Sequence, residues 1–165
     1  MLHFAYGSNM DRAVMRRHAR TAVPIGVACL SEHRFIITAD GYASVERAHA
    51  ASVHGVLWRL TPHDRVTLDI WEAVASGKYR AATMPVRQNG CLRPALVYLG
   101  RSSGTGRPQP GYMELVLAAA RKWNLPHSHL AWLQRWVPAR PVGTGTRRLA
   151  RLQAAKGPQL EREEP

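Results

Sequence analysis

The chain opens with a short apolar strand that runs directly into a glycine loop, Phe4-Ala5-Tyr6-Gly7-Ser8-Asn9-Met10. An amphipathic segment follows at once, because apolar residues recur at helical spacing between arginines from Met10 to His18. Backbone N–H groups in such a turn can bind an anionic group. The same turn can equally be a plain connector. A strand, a tight loop and a helix so close together predict a domain that mixes α and β structure.

The length of 165 residues suits one domain with one hydrophobic core. We assign residues 1–141 to that domain and residues 142–165 to a basic, flexible tail, because apolar periodicity fades beyond Pro138. No apolar run is long enough to cross a membrane, and the N-terminus lacks the pattern of a secretory signal. We therefore expect a cytoplasmic protein with no membrane partner.

The formal net charge of +12 raises the question of a nucleic-acid partner. The arginines are spread along the chain, however, and no predicted helix gathers them on one face between aromatic residues. We therefore do not expect nucleic acid to be the partner, and the positive field suits an anionic small molecule. Cys29 and Cys91 form no CxxC pair, and His127 and His129 lack the neighbours of a zinc site. We predict no metal and no cofactor, and the oligomeric state stays open.

A helix is predicted from Thr61 to about Val74. Thr61 is a good N-cap, and Pro62 suits the first helical position. This helix carries Asp69 and Glu72 three residues apart, which brings two carboxylates close together on its surface.

The remaining elements follow from periodicity and turn signals. Asn89-Gly90 is a strong hairpin turn between strands at Tyr79–Arg87 and Leu92–Leu99. The segment Gly100–Gly111 is rich in Gly, Ser and Pro and is either a lid over a site or a connector. Further strands are predicted at Ala22–Leu30, Arg34–Thr38 and Val53–Leu60, and further helices at Tyr112–Asn124 and Ser128–Trp136.

Three segments together resemble the gamma-glutamylcyclotransferase superfamily and its AIG2-like members: the Tyr6-Gly7-Ser8-Asn9 loop, Leu68-Asp69-Ile70-Trp71-Glu72, and Tyr79 shortly after it. The resemblance implies an α+β fold, a mixed β-barrel with surrounding helices. It also implies an enzyme that cleaves a gamma-glutamyl amide by intramolecular cyclisation and releases 5-oxoproline and an amine without a cofactor. Ala73 stands where relatives often have glycine. Asn9 stands where the glutathione-directed branch typically has leucine, which argues against glutathione as the substrate.

The resemblance implies that Glu72 is the general acid/base. It also implies a substrate-binding group, which comprises Tyr6, Gly7, Ser8, Asn9, Met10, Tyr79 and Tyr112. For Glu72 the alternative is an ordinary exposed helix glutamate, and for the two later tyrosines it is core packing with a satisfied hydroxyl. We expect Asp69 to be structural, because its shorter side chain reaches less far into a pocket.

Two alternatives to this function remain open. In the first, the same site acts on a gamma-glutamyl group attached to a sugar amine, a polyamine, a protein lysine or a carrier-bound intermediate. In the second, the chain is a non-catalytic binding module of the same fold whose basic surface contacts nucleic acid, because a fold does not guarantee an activity. The amine leaving group cannot be read from the sequence.

Overall fold

A computed structural model describes residues 1–102 and 104–138 of the chain. The tail predicted at residues 142–165 lies outside the described residues. Five strands close into a barrel in the spatial order β1-β3-β2-β4-β5. The strands are β1 (Leu2–Ala5), β2 (Val23–Ile37), β3 (Ala43–Arg59), β4 (Tyr79–Gln88) and β5 (Cys91–Gly100).

Helices lie outside the barrel, and all neighbouring strands are antiparallel except β1 and β5, which pair in parallel at His3 and Leu96. This arrangement confirms the predicted α+β fold with a mixed β-barrel. A short 3₁₀ helix (Ser8–Met10) precedes α1 (Arg12–His18). The other helices are α2 (Pro62–Trp71), α3 (Tyr112–Lys122) and α4 (His127–Gln134).

The long β2–β3 hairpin departs from the sequence prediction. The two strands predicted at Ala22–Leu30 and Arg34–Thr38 are one bulged strand, and β3 begins well before the predicted Val53. Ser31 pairs with Ser52 while His33 pairs with Arg47, so residues 48–51 bulge out of the ladder. The first half of β3 mixes alanines with polar and charged residues and is partly exposed, which is why no apolar alternation marks it as a strand.

Helix α2 begins as predicted and ends earlier than predicted. Thr61 and Asp64 form a capping box, in which each side chain accepts a hydrogen bond from the other residue's backbone N–H. The helix ends at Trp71 rather than near Val74, because Ala73 adopts the left-handed conformation with φ 51°. The N–H of Val74 then donates to the Asp69 carbonyl and that of Ala73 to the Ile70 carbonyl, which is a Schellman motif.

The hydrophobic core fills the barrel and the space between the barrel and its helices. Gly55 allows β3 and β1 to approach closely, since a Cβ there would lie 2.3 Å from the Ala5 carbonyl oxygen. The indole N–H of Trp123, at the end of α3, donates to the Met10 carbonyl at 2.8 Å and so ties α3 to the opening loop. Within residues 1–102 and 104–138, no helix has both the length and the apolar character needed to span a membrane.

Candidate active site

The opening glycine loop leaves the barrel at the end of β1 and turns into the 3₁₀ helix. The Met10 N–H donates to the Gly7 carbonyl and the Asp11 N–H donates to the Ser8 carbonyl, both at 3.0 Å. Glycine is required at position 7 by space rather than by φ, which is −114°. A Cβ at Gly7 would lie 2.9 Å from the hydroxyl oxygen of Tyr112.

Glu72 follows the last residue of α2 and points toward that loop. The Asn9 side-chain nitrogen donates to Oε1 of Glu72 at 2.8 Å. Glu72 is only 2% exposed, and Asn9 is 6% exposed. The structure therefore excludes the alternative that Glu72 is an ordinary exposed helix glutamate, and it brings the mid-chain carboxylate and the opening loop together.

Two tyrosines meet the backbone of Ala43 at the start of β3. The Tyr79 hydroxyl donates to the Ala43 carbonyl at 3.0 Å. The Tyr112 hydroxyl accepts a 3.3 Å hydrogen bond from the Ala43 N–H, which leaves its own proton able to point elsewhere. Tyr112 also packs edge-on against Tyr42, with ring centroids 5.2 Å apart.

The Tyr6 hydroxyl donates to the backbone carbonyl of Tyr98 on β5. Because its proton is used there, Tyr6 contributes a wall and an acceptor oxygen rather than a donor. Burial raises the pKa of both Tyr6 and Tyr79 well above the ordinary value for tyrosine, so both hydroxyls stay neutral.

Asp69 has the structural contacts expected of it. It accepts a hydrogen bond from the Tyr98 hydroxyl at 2.6 Å, and it forms an ion pair with Arg65 at 2.7 Å. Its carboxylate therefore faces Arg65 and Tyr98, whereas that of Glu72 faces Asn9. These contacts fix α2 against the barrel and so fix the position from which Glu72 emerges.

His3 completes the back of the site. Its Nδ1 lies 3.1 Å from the Leu96 carbonyl oxygen, and its ring packs edge-on against Tyr98 at 5.4 Å. Burial lowers the pKa of His3 from 6.5 to about 4, so the imidazole is neutral at pH 7. A neutral ring donates from Nδ1 to the carbonyl and keeps a lone pair on Nε2.

These groups line one narrow cavity of about 30 Å³. The structure brings Glu72, Tyr79, Tyr112 and the four loop residues from Tyr6 to Asn9 into its lining. Met10, the remaining residue predicted to bind substrate, lies outside that lining with its side chain fully buried in the core.

Sequence reasoning missed five residues that line the cavity: His3, Phe4, Ala5, Ala43 and Tyr98. One usable signal was His3, a polar residue within an apolar strand. No local pattern marked Ala43, which contributes through its backbone, or Tyr98, which lies in a strand of otherwise apolar residues.

The segment Gly100–Gly111 was predicted to be either a lid over a site or a connector. Part of that segment folds against the barrel, where Thr105 forms an isolated bridge with Thr38. None of the described residues of this segment lines the cavity. No group of three or more His, Cys, Asp or Glu side chains that could hold a metal occurs in the part of the chain that the structure describes.

The chain is similar to a family model and to a curated protein that agree with each other. Residues 52–133 match the model of the AIG2-like family. The mouse protein named gamma-glutamylcyclotransferase is 26% identical over 148 residues, which cover 83% of this chain and 79% of the mouse protein.

Two solved structures extend the comparison to the fold. A structure named gamma-glutamyl cyclotransferase superposes with a TM-score of 0.81 at 22% identity, over 94% of this chain and 98% of that one. YkqA from Bacillus subtilis superposes with a TM-score of 0.71 at 26% identity, over 87% of this chain and 56% of YkqA. The structure named gamma-glutamyl cyclotransferase matches nearly the whole chain, so the similarity includes the closed barrel and its helices.

Proposed function

Because this chain belongs to the gamma-glutamylcyclotransferase superfamily, we propose that it cleaves a gamma-glutamyl amide by intramolecular cyclisation, releasing 5-oxoproline and an amine. The α-amine of the gamma-glutamyl group attacks the carbonyl carbon of its own side-chain amide. A new C–N bond closes the five-membered ring, and the original amide C–N bond breaks. Nucleophile and electrophile already share one molecule, so the protein has to fold the substrate, move protons and stabilise an oxyanion.

The observation that carries the proposal is the shared cavity of Glu72 and the Tyr6–Asn9 loop, joined by the 2.8 Å hydrogen bond from Asn9. Glu72 is only 2% exposed and lines the same cavity as the loop amides, so its carboxylate lies where a ligand would bind.

Glu72 acts as the general acid/base. An α-amine has a pKa of about 8 and is mostly protonated at neutral pH, so a base must take one proton before or during attack. The carboxylate of Glu72 takes that proton and later takes a second one from the ring nitrogen of the tetrahedral intermediate. It passes both in turn to the departing nitrogen, so the ring keeps one N–H and the amine leaves protonated. One residue thus serves both steps, and the carboxylate is regenerated.

The opening loop binds the negative charges of the reaction. The first N–H groups of a helical turn have no acceptor within the turn, so the amides near Gly7, Ser8 and Asn9 suit the substrate α-carboxylate or the developing oxyanion. The Tyr112 hydroxyl adds a donor, since the Ala43 N–H occupies only its oxygen. Tyr6 and Tyr79 form neutral walls.

The test is release of 5-oxoproline from a panel of gamma-glutamyl amides whose leaving groups are amino acids, polyamines, amino sugars and the lysine side chain. N-acetyl-gamma-glutamyl amides serve as matched controls, because acetylation removes the nucleophile. We expect 5-oxoproline from at least one free-amine substrate and none from its acetylated partner. Absence of turnover across the panel, with steeply salt-dependent retention on nucleic acid, would favour the binding-module alternative.

A further inference from the structure

The Asn9 side chain has two polar ends in different situations. Its nitrogen Nδ2 donates to Glu72 Oε1 at 2.8 Å. Its oxygen Oδ1 is buried and accepts no hydrogen bond from any described residue. Asn9 lines the cavity and is 6% exposed, so this acceptor is withdrawn from bulk water at the place where a ligand would lie.

The contact with Glu72 determines which end of the amide faces the cavity. An ionised carboxylate only accepts hydrogen bonds, so it must face the NH₂ group of Asn9 rather than its oxygen. The ambiguity between the nitrogen and oxygen positions of an asparagine amide is thereby removed. With Nδ2 committed to Glu72, Oδ1 projects on the other side.

A buried acceptor without a partner is destabilising, and such groups are rare in native proteins. A ligand that donates a hydrogen bond to Oδ1 removes this cost. Within the proposed reaction, the substrate's α-amine is the one group that must lie beside Glu72 and still carry N–H bonds while it attacks.

We propose that Asn9 orients the attacking amine: Nδ2 holds the Glu72 carboxylate in place while Oδ1 accepts an N–H of the substrate α-amine. This inference rests on the proposed function and adds a specific role to one residue of the site. With one N–H directed to Asn9 and one proton given to Glu72, the amine lone pair is left to face the carbonyl carbon. No proton moves to or from Asn9.

The same contact persists in the product. The ring nitrogen of 5-oxoproline is the former α-amine and carries one N–H. Oδ1 of Asn9 therefore accepts from the lactam, and a ring that lacks this N–H meets an oxygen lone pair instead. Selectivity for the lactam over its oxygen analogue reports on Asn9 without any turnover.

The experiment measures the affinity of 5-oxoproline and of its lactone analogue, 5-oxotetrahydrofuran-2-carboxylate, by titration calorimetry. The proteins are the full chain and its Asn9→Leu and Asn9→Asp variants. We expect the full chain to prefer the lactam by at least about tenfold. Asn9→Asp shares one proton with Glu72, keeps its second oxygen as an acceptor and so keeps the preference, whereas Asn9→Leu loses it. If Asn9→Leu does not fold, Asn9→Ala makes the same comparison.

The outcomes separate the inference from the function on which it rests. If the unaltered chain binds neither ring and releases no 5-oxoproline from any gamma-glutamyl amide, the proposed function fails. If the chain turns over substrate but Asn9→Leu keeps the full lactam preference, the function stands and the role of Asn9 is wrong.

Discussion

The side-chain nitrogen of Asn9 lies 2.8 Å from Oε1 of Glu72, a contact between residues 63 positions apart in the chain. Independent contacts hold the two sides of this pair. Trp123 ties the opening loop to α3, and Tyr98 ties Asp69 of α2 to the barrel. The Asn9–Glu72 contact is thus fixed by the fold as a whole, which is the preorganisation that proton transfer requires.

Gly7→Ala should damage the site more than the fold. The new Cβ would lie 2.9 Å from the Tyr112 hydroxyl oxygen and 3.2 Å from the Ala43 Cβ, so the hydroxyl must move. We expect kcat/KM for 5-oxoproline release to fall by about tenfold or more. Gly100→Ala is a control of similar crowding outside the cavity lining, with a Cβ 3.1 Å from Thr38 Cγ2. Equal losses in both variants would contradict a special role for the space at Gly7.

Tyr112→Phe isolates the hydroxyl from the ring. The phenyl ring keeps its edge-on packing against Tyr42, but the Ala43 N–H loses its acceptor and the cavity loses a donor. We expect kcat/KM to fall by about a hundredfold to a thousandfold, the order expected for one lost transition-state donor. Tyr42 lies outside the cavity lining, so Tyr42→Phe should change kcat/KM by less than about twofold. Unaltered kinetics in Tyr112→Phe would leave that hydroxyl with a packing role only.

The elements predicted best are those whose signal is local. The β4–β5 hairpin follows from Asn89 and Gly90, which adopt the positive φ angles of 49° and 80° that a tight turn needs. The start of α2 follows from Thr61 and Pro62 for the same reason. Caps and turns depend on a few neighbouring residues, so the sequence displays them.

The end of α2 and half of the cavity lining could not be predicted because they depend on distant contacts. Ala73 takes a left-handed conformation usually given to glycine, and no local signal announces it. His3, Ala43 and Tyr98 meet only when β1, β3 and β5 come together in the closed barrel. Met10 is adjacent to the loop in sequence, yet its side chain turns into the core.

Ala73→Gly should stabilise the protein. A left-handed conformation costs an L-residue about 1–2 kcal/mol, and the added freedom of glycine in the unfolded chain offsets about 0.4–1 kcal/mol of that. We expect a net gain of about 1 kcal/mol in the free energy of unfolding, measured by urea denaturation with an unchanged m-value. Ala50→Gly is the matched control, since Ala50 has φ 56° and lies in the β3 bulge. A loss of stability in Ala73→Gly would contradict the Schellman ending of α2.

Stability should fall as the pH drops from about 6.5 to about 4, in part through His3. The folded state holds the pKa of His3 down at about 4 by burial, so the unfolded chain binds its proton first. The neutral ring thus contributes about 3 kcal/mol of stability, which is fully present above about pH 6.5 and is lost as the pH falls toward 4. Denaturation of the full chain and of His3→Asn, whose amide N–H can replace Nδ1, checks this. The pH slope should be smaller in the variant, and an identical slope would be the contrary result.

The central claim is that Glu72 moves the protons of the cyclisation, and Glu72→Gln tests it most directly. Glutamine keeps the side-chain shape and an oxygen that accepts from Asn9, but it cannot take a proton from the amine. With Glu114→Gln on the exposed face of α3 as control, 5-oxoproline release is measured on the best gamma-glutamyl amide of the panel. We predict that Glu72→Gln lowers kcat by about a hundredfold or more while still binding 5-oxoproline, and that Glu114→Gln changes nothing. Turnover by Glu72→Gln at the rate of the unaltered chain would contradict the account.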